Sequence, residues 1–555
     1  MIYNKTQSLY DLFTNQLKKN PNSLFLFDKK NSGWMGISYL EIHKKVESLQ
    51  YYLFTKKVCK GDRVFLLSSN RSEWFIIDIA IQSIGAVTVP AFTTNNIGDN
   101  EFILKDCRPK LIFVENEKLL RRNAKIFNQK FIREIICIES HKNTKSLKNI
   151  FEEKGNCLLP SISREDISSI IYTSGTSGRP KGVVLSHKSL IHNCFAAYKI
   201  LKDLNFKKEK FLSFLPLSHS YERMAGLYFP LFINARVYFC KKMENIMTDF
   251  KEINPTLITA VPRFYESIYK KIYLNIKKSN LVIKYFYRMY NESNPKKQSV
   301  VEKICSKFFF FILKKKIKNL FGENLKTFVS GGAALDPKIS RFFDFLDISI
   351  LQGYGQTEAG PLISCNTLKN NDSNTVGYPI WGIEVKISHD REILIKGPNV
   401  MVEYWKNEEL TREVLKKKWL YTGDLGYFDK QERLIIDGRK KELIVTSGGE
   451  NISPQKIENF FQSYTEILQT VIFGNAEPFL IGIFSVEKNI DRSRIKEIVD
   501  EVNRELNSVE KIRKFIIADE PFTFENQMLT QTYKIRKKEV FKTYRKSIIN
   551  LYSKS

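Results

Sequence analysis

Short apolar runs alternate with helix-like segments between residues 1 and 160. Arg63–Leu67 and Lys110–Val114 are two of these runs, and each has the length and composition of a strand. Alternation of strands and helices indicates an α/β domain. Between residues 160 and 436 the predicted strands and loops carry most of the polar motifs, whereas residues 265–322 are aromatic, rich in lysine and predicted to be helical.

The most apolar stretch of the chain runs from Trp74 to Phe92. It predicts a buried helix over Trp74–Ile84 and a short strand over Ala86–Val89. A membrane-spanning helix is not expected there, because several residues interrupt the stretch: Asp78, Gln82, Gly85 and Pro90. Phe308–Leu313 is wholly apolar, but it is too short to cross a bilayer.

The last part of the chain has its own succession of elements. Asp437-Gly438-Arg439 follows a predicted strand at Arg433–Ile436 and is typical of a turn or joint. A helix is expected to open at Ser453-Pro454, because serine at the cap and proline at the first helical position favour a helix start. The elements that follow predict a separate small α+β domain: strands at Thr470–Phe473 and Leu480–Val486, then a helix from about Asp491.

Composition narrows the class of protein. The chain has 555 residues, too many for one compact domain, and its 43% of apolar residues is enough for sizeable cores. The formal net charge is +28, which suits a nucleic-acid-binding protein or one that visits anionic membranes. A general drift of the composition toward lysine is the alternative. We favour the drift, because the basic residues are spread along the chain.

The cysteines and the N-terminus bear on location. None of the eight cysteines has a partner at CxxC spacing, and no Cys/His cluster has zinc-ligand spacing. A disulfide framework is not expected at this density in so long a chain. Residues 1–20 lack the basic start and continuous apolar core of a signal peptide. A reducing cytoplasm is therefore the expected location.

A loop dense in glycine and hydroxyl groups joins two predicted strands, Ile167–Tyr172 and Val183–Leu185. Its glycines allow backbone N–H groups to converge on an anion, its hydroxyls add donors and its lysine adds charge. It is not a Walker A motif, because Lys181 is followed by glycine. A mobile linker is the alternative, which the Pro-Lys-Gly exit into a strand disfavours. The candidate polyphosphate-binding residues are Thr173, Ser174, Gly175, Thr176, Ser177, Gly178 and Lys181.

The segment Tyr172–Gly182 resembles the signature loop of the AMP-forming acyl-CoA synthetases, within the adenylate-forming superfamily. The resemblance extends over essentially the whole chain. It implies an α/β fold with a large N-terminal domain of several subdomains (1–436), which holds the ATP and acyl sites. A hinge (437–441) would join this domain to a small, mobile C-terminal α+β domain (442–555).

Two further segments follow in the order that the family has. Ser330–Ala334 comes after a predicted strand, and its residues Gly331, Gly332 and Ala333 would let an adenine ring lie against the backbone. A tight strand-to-helix turn is the alternative. Gln352–Glu358 matches the family's Tyr-Gly-x-Thr-Glu motif. The resemblance implies that Tyr354 stacks on adenine, that Gly355 and Gln356 belong to the nucleotide site, that Thr357 donates to the α-phosphate, and that Glu358 and Thr173 belong to a Mg²⁺ site.

The remaining nucleotide and CoA motifs lie in Tyr421–Asp424 and after residue 436. By resemblance, Asp424 accepts from the ribose hydroxyls, Arg439 reaches the ribose or a phosphate, and Lys441 is the hinge residue. Each of these basic residues has the alternative of a solvated surface charge. Ser447–Asn451 would line the path of the CoA pantetheine arm, with Gly448, Gly449 and Glu450 as its candidate residues.

Lys534 is the candidate catalytic lysine near the C-terminus. The long-chain branch of the family has Thr-x-Lys here, and Thr532-Tyr533-Lys534 conforms, although Gln531 replaces a common proline. By resemblance, this lysine bridges the substrate carboxylate and the α-phosphate. The alternative is the basic start of a helix, because three basic residues follow closely: Arg536, Lys537 and Lys538.

Leu215–Met224 and Ala260–Glu266 both resemble the long-chain fatty acid branch. His219, in the first of them, is a candidate catalytic residue that is expected near the carboxylate and the nucleotide. A long acyl chain needs a deep apolar tunnel. Ordinary core packing would explain the candidate lining residues equally well: Tyr228, Phe229, Leu231, Phe232 and Ile233.

The resemblance implies ATP-dependent activation of a long-chain fatty acid through acyl-AMP to acyl-CoA, with Mg²⁺ as cofactor and ATP and CoA as co-substrates. One alternative is a ligase for a shorter or aromatic acid, or for an acyl carrier protein acceptor. Another is a basic membrane- or nucleic-acid-binding protein with a vestigial site, although nucleic acid is not the expected partner. Lys307–Lys318 is a candidate for peripheral contact with the inner face of the membrane, or a helix that packs its aromatic side inward.

Overall fold

The computed structural model describes residues 2–31, 33–140, 144–174, 180–277, 314–315, 319–530 and 534–553. Three sheets are built from the first 439 residues, and two small sheets from the residues that follow. The predicted fold class, a large α/β part followed by a small α+β part, is confirmed.

The strands up to residue 379 are β1 (Leu24–Lys30), β2 (Gly33–Ser38), β3 (Arg63–Leu67), β4 (Val87–Ala91), β5 (Leu111–Val114), β6 (Glu134–Cys137), β7 (Lys145–Ser146), β8 (Ile167–Ser174), β9 (Pro180–Ser186), β10 (Lys210–Ser213), β11 (Arg236–Phe239), β12 (Leu257–Ala260), β13 (Thr327–Ser330), β14 (Ile350–Gly355), β15 (Leu362–Cys365) and β16 (Tyr378–Pro379). The later strands are β17 (Glu384–Ile387), β18 (Glu392–Lys396), β19 (Glu403–Tyr404), β20 (Leu415–Lys416), β21 (Trp419–Phe428), β22 (Leu434–Arg439), β23 (Ile444–Val445), β24 (Asn451–Ile452), β25 (Ile467–Phe473), β26 (Leu480–Val486) and β27 (Ile512–Ile517).

The helices of the large part are α1 (Ile2–Lys5), α2 (Leu9–Lys19), α3 (Tyr39–Thr55), α4 (Ser72–Ser83), α5 (Ile97–Cys107), α6 (Glu117–Phe127), α7 (Leu147–Glu152), α8 (His187–Leu201), α9 (Ser220–Glu222), α10 (Phe229–Phe232), α11 (Ile246–Ile253), α12 (Pro262–Lys277), α13 (Pro337–Phe345) and α14 (Glu408–Val414). Those of the C-terminal part are α15 (Pro454–Phe460), α16 (Arg492–Glu505) and α17 (Lys537–Ser553). A π-helical turn, Arg223–Tyr228, joins α9 to α10, and Thr357–Ala359 and Lys440–Glu442 form 3₁₀ turns.

The two largest sheets organise the site. One has the order β16-β15-β14-β13-β12-β10-β11-β1-β2, and the other has β19-β9-β8-β4-β3-β5-β6-β7. Strands β10 to β14 form parallel pairs in the first sheet, as do β3, β4, β5, β6 and β8 in the second. Because crossover helices cover such sheets, the strands are apolar and buried on both faces. Arg63–Leu67 is a strand with the predicted bounds, and the predicted helix at Trp74–Ile84 is α4, which is buried along its length.

The C-terminal part has its own cores. Strands β25, β26 and β27 form a three-stranded sheet, with α16 packed in one apolar cluster and α17 in another. Val540, Tyr544 and Ile548 of α17 pack with Val471 and Ile481 of the sheet. The expectation of a turn at residues 437–439 is wrong, because β22 continues through Arg439 by pairing with β21. Ser453 and Asp491 stand at the predicted helix starts, but neither side chain makes a capping hydrogen bond.

Within the described ranges of the chain, every helix is too short or too polar to cross a bilayer. Phe308–Leu313 lies outside the described residues, and so does most of Lys307–Lys318.

Candidate active site

The carboxyl ends of strands from both large sheets meet at the candidate site. Thr173 and Ser174 end β8 of one sheet, whereas Ser330 ends β13 and Gly355 ends β14 of the other. Ligands of open parallel sheets bind outside these strand ends. The two sheets are in contact at this place, since Lys181, near the start of β9, pairs with Glu358, which follows β14.

The glycine- and hydroxyl-rich loop lies at the tip of the β8–β9 hairpin. Thr173 pairs with Lys181 across the hairpin, and Ser174 pairs with Pro180. The hydroxyl oxygen of Thr173 is buried and has no hydrogen-bond partner within the described residues, so it is available to a ligand. The rest of the predicted phosphate loop lies outside the described residues: Gly175, Thr176, Ser177 and Gly178.

Lys181, Glu358 and Tyr404 form a buried cluster beside this hairpin. The Nζ atom of Lys181 lies 2.7 Å from Oε1 of Glu358, and the hydroxyl of Tyr404 donates to the same oxygen at 2.7 Å. Burial raises the pKa of Glu358, but the charge of Lys181 and the two hydrogen bonds outweigh burial and hold it below its ordinary value. Glu358 is therefore ionised. The sequence patterns did not point to Tyr404, which lies in no recognised motif.

A second cluster joins Tyr354, Asp424 and Arg439. The hydroxyl of Tyr354 donates to Oδ2 of Asp424 at 2.7 Å, and Nε of Arg439 lies 2.9 Å from Oδ1. Burial raises the pKa of Asp424, and the Arg439 charge only partly opposes the rise. The loop that carries Asp424 is itself held, because the Gly423 N–H donates to Glu392 at 2.9 Å. A carboxylate fixed in this way suits recognition of paired hydroxyls.

Ser220, the residue after His219, contacts Thr357. The hydroxyl oxygens of Thr357 and Ser220 are 3.0 Å apart and buried. Nδ1 of His219 accepts a hydrogen bond from the N–H of Tyr221 at 3.3 Å and so caps the short helix α9. Burial, together with the smaller effect of the Lys534 charge, lowers the pKa of His219 to about 4, so that the imidazole is neutral at pH 7. Sequence reasoning missed Ser220.

The predicted adenine-binding backbone follows β13. Gly331 donates to the carbonyl of Ala260 at 3.1 Å, and a Cβ at Gly331 would lie 3.1 Å from the ring of Tyr221. Gly332 has a φ of +90°, in the region that favours glycine, and Ala333 is exposed.

After β14 the backbone turns sharply. A Cβ at Gly355 would lie 1.9 Å from the carbonyl oxygen of Pro361, so only glycine fits there. The amide nitrogen of the Gln356 side chain is buried and has no hydrogen-bond partner in the described part of the chain. Both residues precede Thr357 and Glu358 in the chain, and their part in a nucleotide site stays a prediction.

Lys534 reaches the site from the C-terminal part of the chain. It precedes α17, which begins at Lys537, and its side chain is exposed. Desolvation by the surrounding protein lowers the pKa of Lys534, and the neighbouring charge of Arg439 lowers it further. Asp424 and Glu358 act in the opposite direction, so Lys534 lies within electrostatic range of both.

The candidate hinge and CoA-path residues lie apart from these clusters. Lys441 is exposed in the 3₁₀ turn after β22. Gly448, Gly449 and Glu450 are exposed at the tip of the β23–β24 hairpin, where the Thr446 N–H donates to the carbonyl of Glu450 at 3.0 Å. In the described ranges, no hydrogen bond or ion pair joins them to Glu358 or Asp424.

The apolar residues considered for an acyl tunnel belong to the main hydrophobic core. The hydroxyl of Tyr228 donates to Asp78 and accepts from Arg223 at 2.7 Å, deep in that core. The fully buried Arg223 pairs with Asp78 in the same place. Tyr228, Phe229 and Leu231 are buried in that core, and Phe232 and Ile233 pack against it partly buried, so the lining of an acyl tunnel stays a prediction.

Two models of known protein families match this chain. A family model described as AMP-binding enzyme matches residues 13–405, and one described as AMP-binding enzyme C-terminal domain matches residues 441–555. The chain belongs to the AMP-binding enzyme family. The predicted resemblance to AMP-forming acyl-CoA synthetases is thereby confirmed.

Two curated members of the AMP-binding enzyme family illustrate the likeness. The long-chain-fatty-acid–CoA ligase FadD15 of Mycobacterium bovis is 28% identical, over 94% of this chain and 93% of its own length. Long chain acyl-CoA synthetase 3 of Arabidopsis thaliana is 29% identical, over 99% and 92%. Among solved structures, the adenylation domain of the carboxylic acid reductase from Segniliparus rugosus, in complex with AMP and a carboxylic acid, matches with a TM-score of 0.80 at 19% identity, over 100% of this chain and 96% of its own. This last likeness supports the fold.

Proposed function

We propose that this AMP-binding enzyme activates long-chain fatty acids with ATP, through an acyl-AMP intermediate, and transfers the acyl group to CoA. The observation that carries the proposal is the buried Glu358 carboxylate, held at the phosphate hairpin by Lys181 and by the hydroxyl of Tyr404. Two segments that resemble the long-chain branch, Leu215–Met224 and Ala260–Glu266, support the substrate class. The names of the curated relatives agree with it.

In the first half-reaction, an oxygen of the fatty acid carboxylate attacks the α-phosphorus of ATP, and the bond from that phosphorus to the pyrophosphate oxygen breaks. The attack brings an anion against a polyanion, so the barrier falls when fixed positive groups neutralise charge. Lys181 and the Thr173 hydroxyl would serve the phosphates, while Lys534 would bridge the carboxylate and the α-phosphate. Asp424 would accept from the ribose hydroxyls.

The residues present suit a hard divalent cation. Glu358 is an ionised carboxylate, and Thr173 offers a buried hydroxyl oxygen without a partner among the described residues. Among the described residues, no three or more His, Cys, Asp or Glu side chains are placed so that they could hold a metal ion by themselves. One carboxylate with phosphate oxygens and waters suffices for Mg²⁺, which when bound supplies charge neutralisation at the phosphates. We propose that Glu358 and Thr173 hold it.

In the second half-reaction, the CoA thiolate attacks the carbonyl carbon of acyl-AMP, and AMP leaves. No side-chain nucleophile is needed. We propose that residues 437–441 form the hinge about which the C-terminal part (442–555) turns between the half-reactions. The turn would remove Lys534 and bring Ser447–Asn451 to the CoA path. The arrangement described here, with Lys534 at the nucleotide clusters, would then serve the first half-reaction.

Location is a separate proposal. The seven cysteines of the described residues are all free thiols, which agrees with a reducing, cytoplasmic compartment. We also propose peripheral contact with an anionic membrane, for which the basic aromatic stretch Lys307–Lys318 is the candidate segment. Sedimentation with vesicles of anionic and neutral lipid would test this contact, and equal, salt-independent recovery with both lipids would contradict it.

Chain-length profiling of AMP release in the presence of CoA tests the proposed substrate. Acids of increasing length, from acetate to long unbranched fatty acids, and one aromatic acid such as benzoate would be compared by kcat/KM. We expect the maximum at long chains, since each buried methylene adds about 0.8 kcal/mol of binding. A maximum at short or aromatic acids would replace the proposed substrate while leaving the enzyme class intact.

A further inference from the structure

We propose that Tyr404 is a positioning residue for Glu358, and that it keeps this carboxylate in place when Lys181 moves from Glu358 to the phosphates of ATP. The inference rests on the proposed nucleotide activation and adds a role for a residue outside the motifs. It is drawn from the cluster of Lys181, Glu358 and Tyr404, in which one lysine and one tyrosine share one carboxylate oxygen.

The tyrosine contacts both charged partners. Its hydroxyl donates to Oε1 of Glu358 at 2.7 Å and accepts from Nζ of Lys181. The ammonium of Lys181 also lies 4.2 Å from the centre of the Tyr404 ring, within the range of a cation–π contact. Tyr404 is therefore a donor to the carboxylate and an acceptor for the lysine at once.

The backbone holds Tyr404 rigidly against the phosphate hairpin. Strand β19 pairs with β9, so that Tyr404 lies opposite Val183, two residues after Lys181. The Trp405 N–H donates to the carbonyl of Gly182 at 2.7 Å, and the Tyr404 N–H donates to the Thr411 hydroxyl at 3.0 Å. Only 3% of Tyr404 is exposed. A side chain fixed on both sides can orient its neighbour with little loss of entropy.

A change of partners gives this tyrosine its role. Lys181 pairs with Glu358, yet the same ammonium is the charge that the hairpin offers to a phosphate. When the phosphates take the lysine, Glu358 loses its counter-ion. The remaining side-chain donor to Glu358 within the described residues is then Tyr404. A buried carboxylate without donors is costly, so this bond would fix the carboxylate in the orientation that a divalent cation needs.

The chain contains a matched control away from the site. The hydroxyl of Tyr52 donates to Oε2 of Glu134 at 2.6 Å, and Nζ of Lys56 lies 2.7 Å from the same oxygen. Lys56 also lies 5.2 Å from the centre of the Tyr52 ring. This second Lys–Glu–Tyr cluster joins α3 to β6 and has no part in the proposed nucleotide site. Tyr52→Phe therefore removes the same chemical contact without touching the nucleotide.

The test measures ATP binding by calorimetry, without fatty acid or CoA, in Mg²⁺ and in EDTA. The readout is the gain in ATP affinity that Mg²⁺ brings. We expect Tyr404→Phe to reduce this gain roughly 10- to 100-fold, as for loss of one hydrogen bond to a charged group. Its affinity in EDTA should not weaken, because the variant also frees Lys181 from one acceptor. Tyr52→Phe should leave both affinities unchanged.

The outcomes separate the claims. If Mg²⁺ raised the ATP affinity of Tyr404→Phe as much as that of wild type, the positioning role alone would be overturned. An equal loss of ATP affinity in Mg²⁺ and in EDTA would also overturn it, because such a loss indicates general damage to the site. Glu358→Gln provides a second route: in that background Tyr404→Phe should have no further effect on the gain, and an additive effect would overturn the inference. Wild-type protein that binds no ATP under either condition would contradict the proposed function itself.

Discussion

The Tyr354 hydroxyl donates to Oδ2 of Asp424 at 2.7 Å and ties the end of β14 to the β21–β22 hairpin. Arg439 holds the other carboxylate oxygen of Asp424 from across the hairpin. The carboxylate is thus oriented before any nucleotide binds. Each carboxylate oxygen has two acceptor positions, so ribose hydroxyls can add to Asp424 without displacing Tyr354 or Arg439.

Asp424→Asn should weaken ATP binding. The amide keeps the shape of the carboxylate but removes the negative charge that pairs with Arg439. Its NH₂ group would also face one of the two side chains that donate to Asp424, Tyr354 or Arg439. Loss of a hydrogen bond to a charged group costs about 1.5–3 kcal/mol, which predicts a rise of roughly 10- to 100-fold in the Kd of ATP, measured by calorimetry.

Asp429→Asn is the matched control for this prediction. Asp429 pairs with Arg433 at 2.6 Å in the turn before β22, so the substitution removes a similar Asp–Arg contact. We expect its ATP affinity to stay within about 2-fold of wild type, since no charged contact to the nucleotide site is lost. An equal loss of affinity in the two variants would contradict the role of Asp424.

Lys534→Ala should impair one half-reaction only. The lysine lies within electrostatic range of Asp424 and Glu358, where it can stabilise the charge that develops during attack on the α-phosphate. Removal of one preorganised donor predicts a loss of roughly 10²- to 10³-fold in ATP–pyrophosphate exchange. Thioester formation from supplied acyl-AMP should survive. Lys538→Ala is the control within the same basic segment, and a comparable loss in both half-reactions for Lys534→Ala would refute the assignment.

Glu222 predicts a dependence of stability on pH. The Ser213 hydroxyl donates to its Oε1 at 2.6 Å, while Oε2 is buried and has no partner in the described ranges. Burial raises the pKa of Glu222 to about 8 from an ordinary value of 4.5. Between these values the folded protein keeps a proton that the unfolded chain releases. The free energy of unfolding should therefore fall as pH rises through this window, by up to about 1.4 kcal/mol per pH unit.

Glu222→Gln should flatten this dependence, because the amide mimics the neutral acid at every pH. Urea unfolding at pH 5, 6, 7 and 8 would measure the free energy of unfolding of both proteins. We expect the difference between Glu222→Gln and wild type to shift in favour of the variant as the pH rises. Glu209→Gln is the control: Lys326 keeps the pKa of Glu209 below its ordinary value despite burial, so the loss should be constant over this range. Parallel pH curves for wild type and Glu222→Gln would disprove the shift.

The sequence predicts those parts of the fold that local patterns determine. Arg63–Leu67 is a strand as predicted, since a short apolar run between turn signals has few other solutions. Leu480–Val486 is another strand with the predicted bounds, for the same reason. The prediction of a turn at residues 437–439 is wrong. Glycine is typical of turns, but at Gly438 pairing with β21 extends the strand through this position. That pairing depends on residues distant in sequence.

The site divides in the same way. Motifs with a fixed order identified Lys181, Glu358 and Asp424, and the structure brings each into a polar cluster. Tyr404 could not be found this way. Its place beside Lys181 comes from the antiparallel pairing of β19 with β9, between strands more than 200 residues apart in the chain. No local spacing records such a contact.

We propose that this site exchanges the pyrophosphate of ATP for the carboxylate of a long-chain fatty acid. Pyrophosphate release by purified protein, with Mg²⁺, ATP and a long unbranched fatty acid but without CoA, tests it most directly. The account predicts pyrophosphate that appears only when the acid is present, together with bound acyl-AMP. Absence of pyrophosphate with every long-chain acid, from protein that is folded and binds ATP, would contradict it.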